Sequence, residues 1–288
     1  MEELLKKAVR AYEQKFGVDS RVLNLHYVGR VLHVEFGGNV ATSCCAFDYF
    51  DDFCLTLEEV ISIPHAIISV SRDLNRFSVK MARLDFLDEI KSAIHKCEQV
   101  VKSRLKEFEE NGKSENSAFK ELCFCILTAN FSAEGGIRIQ KSIGDGFLTL
   151  PKKELYDLLV KLGHRFPSSR ADYIVEARKY YGYIMKTINS FDCSQSARDW
   201  LSNNIKGIGY KEASHFLRNI GVKDLAIVDR HILRYLQSKS LIDKPKTLTK
   251  RKYLEIESIL SVIAERLEIT LAELDLYLWY LITGKILK

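Results

Sequence analysis

The chain has 288 residues, 47% of them hydrophobic and 28% charged, enough for a real core in one large domain or two ordinary ones. No apolar run approaches the roughly 20 residues of a membrane span, and the charged, amphipathic start MEELLKKAVRAYEQKFG is unlike a secretory signal. The net charge of +5 is uneven: residues 1–90 carry 10 basic against 14 acidic side chains, and the remainder 33 against 24, so an acidic part precedes a basic part suited to a polyanionic partner.

These features place the protein inside a cell. The seven cysteines (Cys44, Cys45, Cys54, Cys97, Cys123, Cys125 and Cys193) are odd in number and form no disulfide-like framework, which fits a reducing compartment. Cys123 and Cys125 lie two apart in the apolar run ELCFCILTANF. No later pair completes a four-ligand metal set, so they are expected to be packed free thiols, and no metal is expected.

In chain order, residues 1–94 read as a small α+β domain. Leu4, Leu5, Ala8, Val9 and Tyr12 have helical spacing. RVLNLHYVGRVLHVEFGG alternates on both sides of Gly29, the pattern of a β-hairpin. CCAFDYFDDFCLTLEEVI is aromatic and acidic and fits either state, and AIISVSRDLNRFSVKMARL suggests two further short strands. A long amphipathic helix begins with LDEIKSAIHKC and stops near Asn111-Gly112.

From Ser114 the pattern is almost wholly helical, and residues 95–288 are expected to form an all-α domain. SAFKELCFCILTANF reads as one buried helix, and the next segment is broken by Gly144 and Gly146. PKKELYDLLVKLG opens with proline in a favourable first-turn position and stops at Gly163. SSRADYIVEARKYYGYIMKTI reads as an amphipathic stretch. SQSARDWLSNNI and YKEASHFLRNI flank a Gly-Ile-Gly turn, a helix-hairpin-helix of about 196–220 closed by Gly221. RHILRYLQ, KRKYLEIESILSVIAERL and TLAELDLYLWYLI complete the series.

The hairpin carries the first functional signal. Gly207 and Gly209, around Ile208, permit a tight turn and close approach of another backbone. The helix that follows presents unpaired N–H groups at its positive end, a phosphate-sized anion site that needs no base contacts. A turn used only for packing has the same sequence. Lys211 lies in the first turn of the second helix, where the dipole and partial burial disfavour an extra positive charge. A neutral amine there suits attack on a sugar C1′ carbon and formation of a Schiff base, whereas most lysines are simply solvated. Asp229, eighteen residues on, precedes a helix and suits capping. It equally suits stabilising positive charge on the sugar, or orienting or deprotonating the lysine.

With these residues in view, the segment from about Ser117 to Lys288 resembles the helix-hairpin-helix superfamily of base-excision glycosylases. Within it the closest likeness is to the archaeal type-2 8-oxoguanine DNA glycosylase/AP lyases. The motifs are LCFCILTANFSAEGGIRIQKSIGDGFLTLP, LGHRF, IKGIGYKEASHFLRNIG, IVDRHIL and ELDLYLWYLITGKILK, in that order. The resemblance implies a mainly α fold of two helical subdomains with a cleft for the flipped base, here preceded by a small α+β domain. It implies Lys211 as the Schiff-base nucleophile and Asp229 as the second catalytic residue, with no cofactor. Trp279 becomes an aromatic wall for the base. Lys288 becomes the bearer of a terminal carboxylate that accepts hydrogen bonds from a damaged guanine. His164, Arg165 and Phe166 become the loop that fills the gap in the stack and meets the opposite base, with Asn130 a further candidate.

Typical members of this type lack the first 90 or so residues. The iron–sulfur cluster of other branches needs four late cysteines, and none follows Cys193. The expected partner is double-stranded DNA containing oxidised guanine, met where an archaeal cell keeps its DNA. A glycosylase for another lesion and a non-catalytic DNA-binding module are the alternatives.

Overall fold

A computed structural model describes residues 1–288. The chain divides into two compact units, and they are not the linear segments 1–94 and 95–288. Met1–Ser92 joins Arg230–Ile269, while Ala93–Asp229 joins Thr270–Lys288. Packing across long sequence separation carries this arrangement, and no local pattern announces it.

The first unit opens with α1 (Glu2–Phe16), β1 (Arg21–Val28) and β2 (Val31–Gly37). After a single 3-10 turn come α2 (Ala46–Ile61), β3 (His65–Asp73) and β4 (Arg76–Arg83). The strands form an antiparallel sheet in the order β1-β2-β4-β3. Alternation decides the faces: Leu32, Val34, Phe36, Phe77, Val79 and Met81 point to one side and pack on Tyr12 of α1 and Phe50, Phe53 and Leu57 of α2. The ambiguous acidic segment is therefore helical. Ala46, Phe50, Phe53, Leu57 and Ile61 recur every three or four residues and are buried.

The later segment of this unit contributes α12 (Arg230–Ser238) and α13 (Lys250–Arg266). It is tied to the sheet by hydrogen bonds. Arg30 N–H donates to Ser240 O at 2.9 Å, Ser258 Oγ donates to Ile68 O at 3.4 Å, and Arg266 pairs with Glu58 at 2.6 Å. Gly29 sits with φ +62°, and a methyl there would lie 2.6 Å from Ser240 O, so both the hairpin turn and the close approach require glycine.

The helix α3 (Leu87–Gly112) leads into the second unit, which is helical throughout. Its central element is α4 (Glu115–Thr128), capped by Ser114 Oγ, which accepts from Ser117 N–H at 3.3 Å. Nearly every residue of α4 from Ala118 to Thr128 is buried, as the continuous apolar run foretells. Around it lie α5 (Ala133–Ile143), α6 (Gly146–Thr149), α7 (Lys152–Lys161), α8 (Pro167–Ala177) and α9 (Ile184–Ile188). Then come α10 (Ser194–Asn204), α11 (Tyr210–Asn219) and α14 (Leu271–Thr283). The amphipathic stretch 168–188 is divided between α8 and α9 after Tyr180, where Gly182 takes φ +89°. Cys123 and Cys125 lie fully buried in this core, their thiols pushed far above the ordinary range by burial. No helix is long and apolar enough to cross a membrane.

Candidate active site

The hairpin between α10 and α11 is built from the inside out. Ile205 and Ile208 are buried on either side of the turn. Gly207 between them has φ +85°, and a methyl there would come within 2.4 Å of the Tyr173 ring, so glycine is required twice over. Gly209 is different. Its backbone is extended, and an added methyl would meet only the Glu212 carboxylate, at 3.1 Å. The first-turn amides of α11, at Tyr210, Lys211 and Glu212, have no acceptor within the helix, which leaves an anion-seeking surface at the turn. Exposed Lys206 adds a cation beside it, 5.6 Å from the centre of the Tyr173 ring. Arg198, fully buried, stacks 4.4 Å over Tyr210, whose hydroxyl donates to Asp199 at 2.6 Å, so the two helices are locked together.

In the first turn of α11, the Lys211 side chain is 25% exposed, with Nζ 3.6 Å from Glu212 Oε1. Asp229 follows the buried stretch Leu225–Val228 and immediately precedes α12. Both act on one buried carboxyl that sequence reasoning did not single out, Asp275 on α14. Burial pushes the Asp275 carboxyl up to about 6. The Arg218 cation works against that rise, the Asp229 anion adds to it, and the Lys211 cation opposes it. Asp275 also takes a short ion pair from Arg218 Nη1. Burial outweighs that pair, because the side chains are only 4% and 12% exposed and little water helps the charge.

Beyond Arg218 the buried polar chain continues. Arg218 Nη2 donates to Asn219 Oδ1 at 3.0 Å, and Asn219 Nδ2 donates to Glu121 Oε2 of α4 at 2.9 Å. Each of these residues interrupts an apolar run, and that interruption is the only signal the sequence offers for them. His215, four residues after Lys211 and so on the same helix face, is buried, and neither ring nitrogen closes a hydrogen bond. Burial and the cations of Arg218 and Lys211 hold its pKa well below the usual histidine range, so the ring is neutral.

Trp279 lies one helical turn after Asp275 on α14 and is partly buried. Lys288 is drawn inward, its Nζ 2.6 Å from Glu121 Oε1. The 163–166 loop divides its residues. Arg165 and Phe166 are exposed, with the guanidinium 5.1 Å from the ring centre. His164 is buried, its ring centre 4.3 Å from that of Phe131; it donates from Nε2 to Leu127 O at 2.9 Å and accepts from Phe166 N–H at Nδ1, so its two ring nitrogens shape the turn. Asn130 is exposed at the end of α4 with φ +58°, and Arg170 donates to its neighbour Ala129 O at 2.6 Å.

Residues 101–269 match the family described as 8-oxoguanine DNA glycosylase. The chain belongs to this family. The 8-oxoguanine DNA glycosylase/AP lyase of Methanocaldococcus jannaschii is 57% identical over 204 residues, covering 70% of this chain and 97% of that protein. The protein of the same description from Korarchaeum cryptofilum is 53% identical over 191 residues, 66% of this chain and 91% of its own. Among solved structures, the M. jannaschii glycosylase/lyase in complex with a 15mer DNA containing 8-oxoguanine superposes with a TM-score of 0.68 at 56% identity, covering 70% of this chain and 99% of that one. The Thermotoga maritima 8-oxoguanine DNA glycosylase gives a TM-score of 0.68 at 46% identity, with 71% and 99% covered. The fold is thus that of a helix-hairpin-helix glycosylase, here with a small α+β sheet region at its N-terminus.

Proposed function

We propose that this protein excises 8-oxoguanine from duplex DNA and cleaves the strand at the resulting abasic site. The observations that carry the reading are membership of the 8-oxoguanine DNA glycosylase family and a lysine, Lys211, in the first turn of the helix that follows a turn suited to a phosphate. Residues 95–288 carry the activity in this reading, with 1–94 as an N-terminal addition, and the protein works inside the cell on its DNA.

The hairpin amides hold a backbone phosphate, and the target nucleotide is extruded from the stack. Arg165 and Phe166 occupy the gap, with Asn130 at its edge, while His164 fixes their turn from within. Trp279 lines the pocket for the base. Lys211 passes its ammonium proton to Asp229; Nζ then bonds to C1′ as the C1′–N9 bond breaks, and the electron pair of that bond leaves with the base, which takes up a proton. Asp229 stabilises the positive charge that develops on the sugar. Opening of the C1′–O4′ bond and loss of a proton from nitrogen give the protonated imine. Removal of a C2′ proton then expels the 3′ phosphate, and water later frees the lysine.

Borohydride reduction tests this directly. Wild-type protein incubated with duplex containing 8-oxoguanine is expected to become covalently attached to DNA, and failure to trap would remove the lyase reading. A panel of other lesions in the same oligonucleotide separates this substrate from its rivals.

A further inference from the structure

Arg198 is a cation buried inside the hairpin. It is 0% exposed, on a helix whose Ala197 and Leu201 enter the apolar core. Its guanidinium meets two residues of α11. Cζ lies 4.4 Å from the centre of the Tyr210 ring, and Nη1 donates to Ser214 Oγ at 3.3 Å. Tyr210 in turn donates to Asp199, the next residue of α10, at 2.6 Å. A buried cation is a poor source of stability, because an apolar side chain of similar volume packs as well without losing hydration. A planar, forked cation does fix geometry.

Tyr210 and Ser214 are four residues apart, so they form one stripe along α11, turned toward α10. Lys211 and His215 form the adjacent stripe, about 100° round the axis. Whatever holds the first stripe sets the rotation of the helix, and so the direction of the second. The lever arms differ. A lysine amine about 8 Å from a helix axis moves by about 1 Å when the helix rotates by about 10°, whereas first-turn amides about 1.5 Å from the axis move by only about 0.3 Å. Misplacing a reacting group by about 1 Å costs on the order of 100-fold in rate, while a hydrogen bond to phosphate tolerates about 0.3 Å.

We infer that Arg198 is a positioning residue: its grip on Tyr210 and Ser214 sets the rotation of α11 that aims Lys211 at the sugar. The inference rests on the glycosylase reading, with Lys211 as nucleophile. It concerns the aim of the amine and not the hold on the strand.

The test uses full-length Arg198→Met, Arg198→Lys, Tyr210→Leu and the Arg198→Met/Tyr210→Leu double variant. Three quantities are measured: single-turnover cleavage of a preformed abasic site at saturating enzyme, the enzyme concentration giving half that rate, and the thermal midpoint. Arg198→Met is expected to slow cleavage about thirtyfold, with the half-saturating concentration within about threefold of wild type. Its midpoint should stay within about 5 °C. Arg198→Lys keeps a cation without the fork and should recover part of the rate. Tyr210→Leu removes the stacked ring and should show the same split between rate and saturation, and the double variant should be little slower than the slower single, because both changes remove one grip. Release of 8-oxoguanine should fall in parallel, since both reactions use Lys211. An Arg198→Met rate within about twofold of wild type overturns the inference. So does a half-saturating concentration that rises as far as the rate falls, or a midpoint that collapses in both Arg198 variants, since either makes Arg198 scaffold alone. Wild-type protein that neither cleaves nor is trapped on abasic DNA would sink the glycosylase reading, and the inference with it. That result is distinct from a loss confined to the variants.

Discussion

Lys211 and Lys288 belong to the same helical unit, and the fold treats them in opposite ways. The Lys211 side chain is 25% exposed and only loosely paired, 3.6 Å from Glu212. The Lys288 side chain is 12% exposed and clamped at 2.6 Å by a carboxylate that is itself buried. An amine proposed to react must be free to move along a bond-forming path, whereas one clamped in a buried network of Glu121, Asn219, Arg218 and Asp275 is held in place.

Replacing the mobile amine should break the chemistry while sparing the fold. Lys211→Gln is expected to reduce strand cleavage by more than about a thousandfold, with a thermal midpoint close to wild type; a variant that still cleaves and traps would end the distinction between the two lysines. Asp229→Asn keeps the shape but removes the charge. Single-turnover excision should fall about a hundredfold, and a loss of binding without a loss of rate would instead assign Asp229 to capping alone.

The clamped side of the contrast is read in stability. Glu121→Ala strands a buried cation, and denaturant titration should show a cost of up to about 3 kcal/mol, less if the tail swings Lys288 into water. The hairpin offers a similar pair. Gly207→Ala forces a side chain into positive φ and into the Tyr173 ring, and should cost about 2 kcal/mol, whereas Gly209→Ala should stay within about 1 kcal/mol. Equal costs would refute the unequal roles assigned to the two glycines.

The smallest effect is a pH dependence. Burial lowers the pKa of His215, and likewise of His164, His65 and His33. Each folded pKa lies below the unfolded value of about 6.5, so the unfolded chain binds more protons as acid is added. Their stabilising contribution is whole above that value and is lost as the pH falls below it. Asp275, raised to about 6, works in the other direction, favouring the native state below that pH and losing the benefit as the pH rises through it. Four groups oppose one, so the melting temperature should fall from pH 7 to pH 5, and His215→Leu should make the fall shallower. A slope unchanged in that variant would mean that His215 is protonated in the native protein.

Much of this was legible in local pattern, and the remainder was hidden for physical reasons. The β-hairpin at Gly29, the break at Gly144 and the turn at Gly207 are set by backbone geometry that glycine advertises, whereas Gly146, also expected to break a helix, begins α6. The state of 46–61 was obscured by Asp48, Asp51 and Asp52, which obscure a buried stripe at helical spacing. The association of 230–269 with the first unit depends on contacts such as Arg30 with Ser240, some two hundred residues apart, which leave no periodic trace. At the site, Lys211 and Asp229 stand out because they follow a recognisable turn. Asp275, Arg218, Asn219 and Glu121 do not, because they lie on three different helices and only the fold reveals that they meet. The hydrogen bonds of His164 to Leu127 and Phe166 leave no trace in the sequence either, since one of the partners lies 37 residues away.

The most direct measurement is the identity of the residue that carries the sugar. The borohydride-reduced complex is digested with nuclease and protease, and the peptide bearing the deoxyribose remnant is sequenced by mass spectrometry. The remnant is predicted on Lys211 within IKGIGYKEASHFLR. Its appearance on Lys206, Lys288 or any other amine would contradict the assignment of Lys211 as the nucleophile.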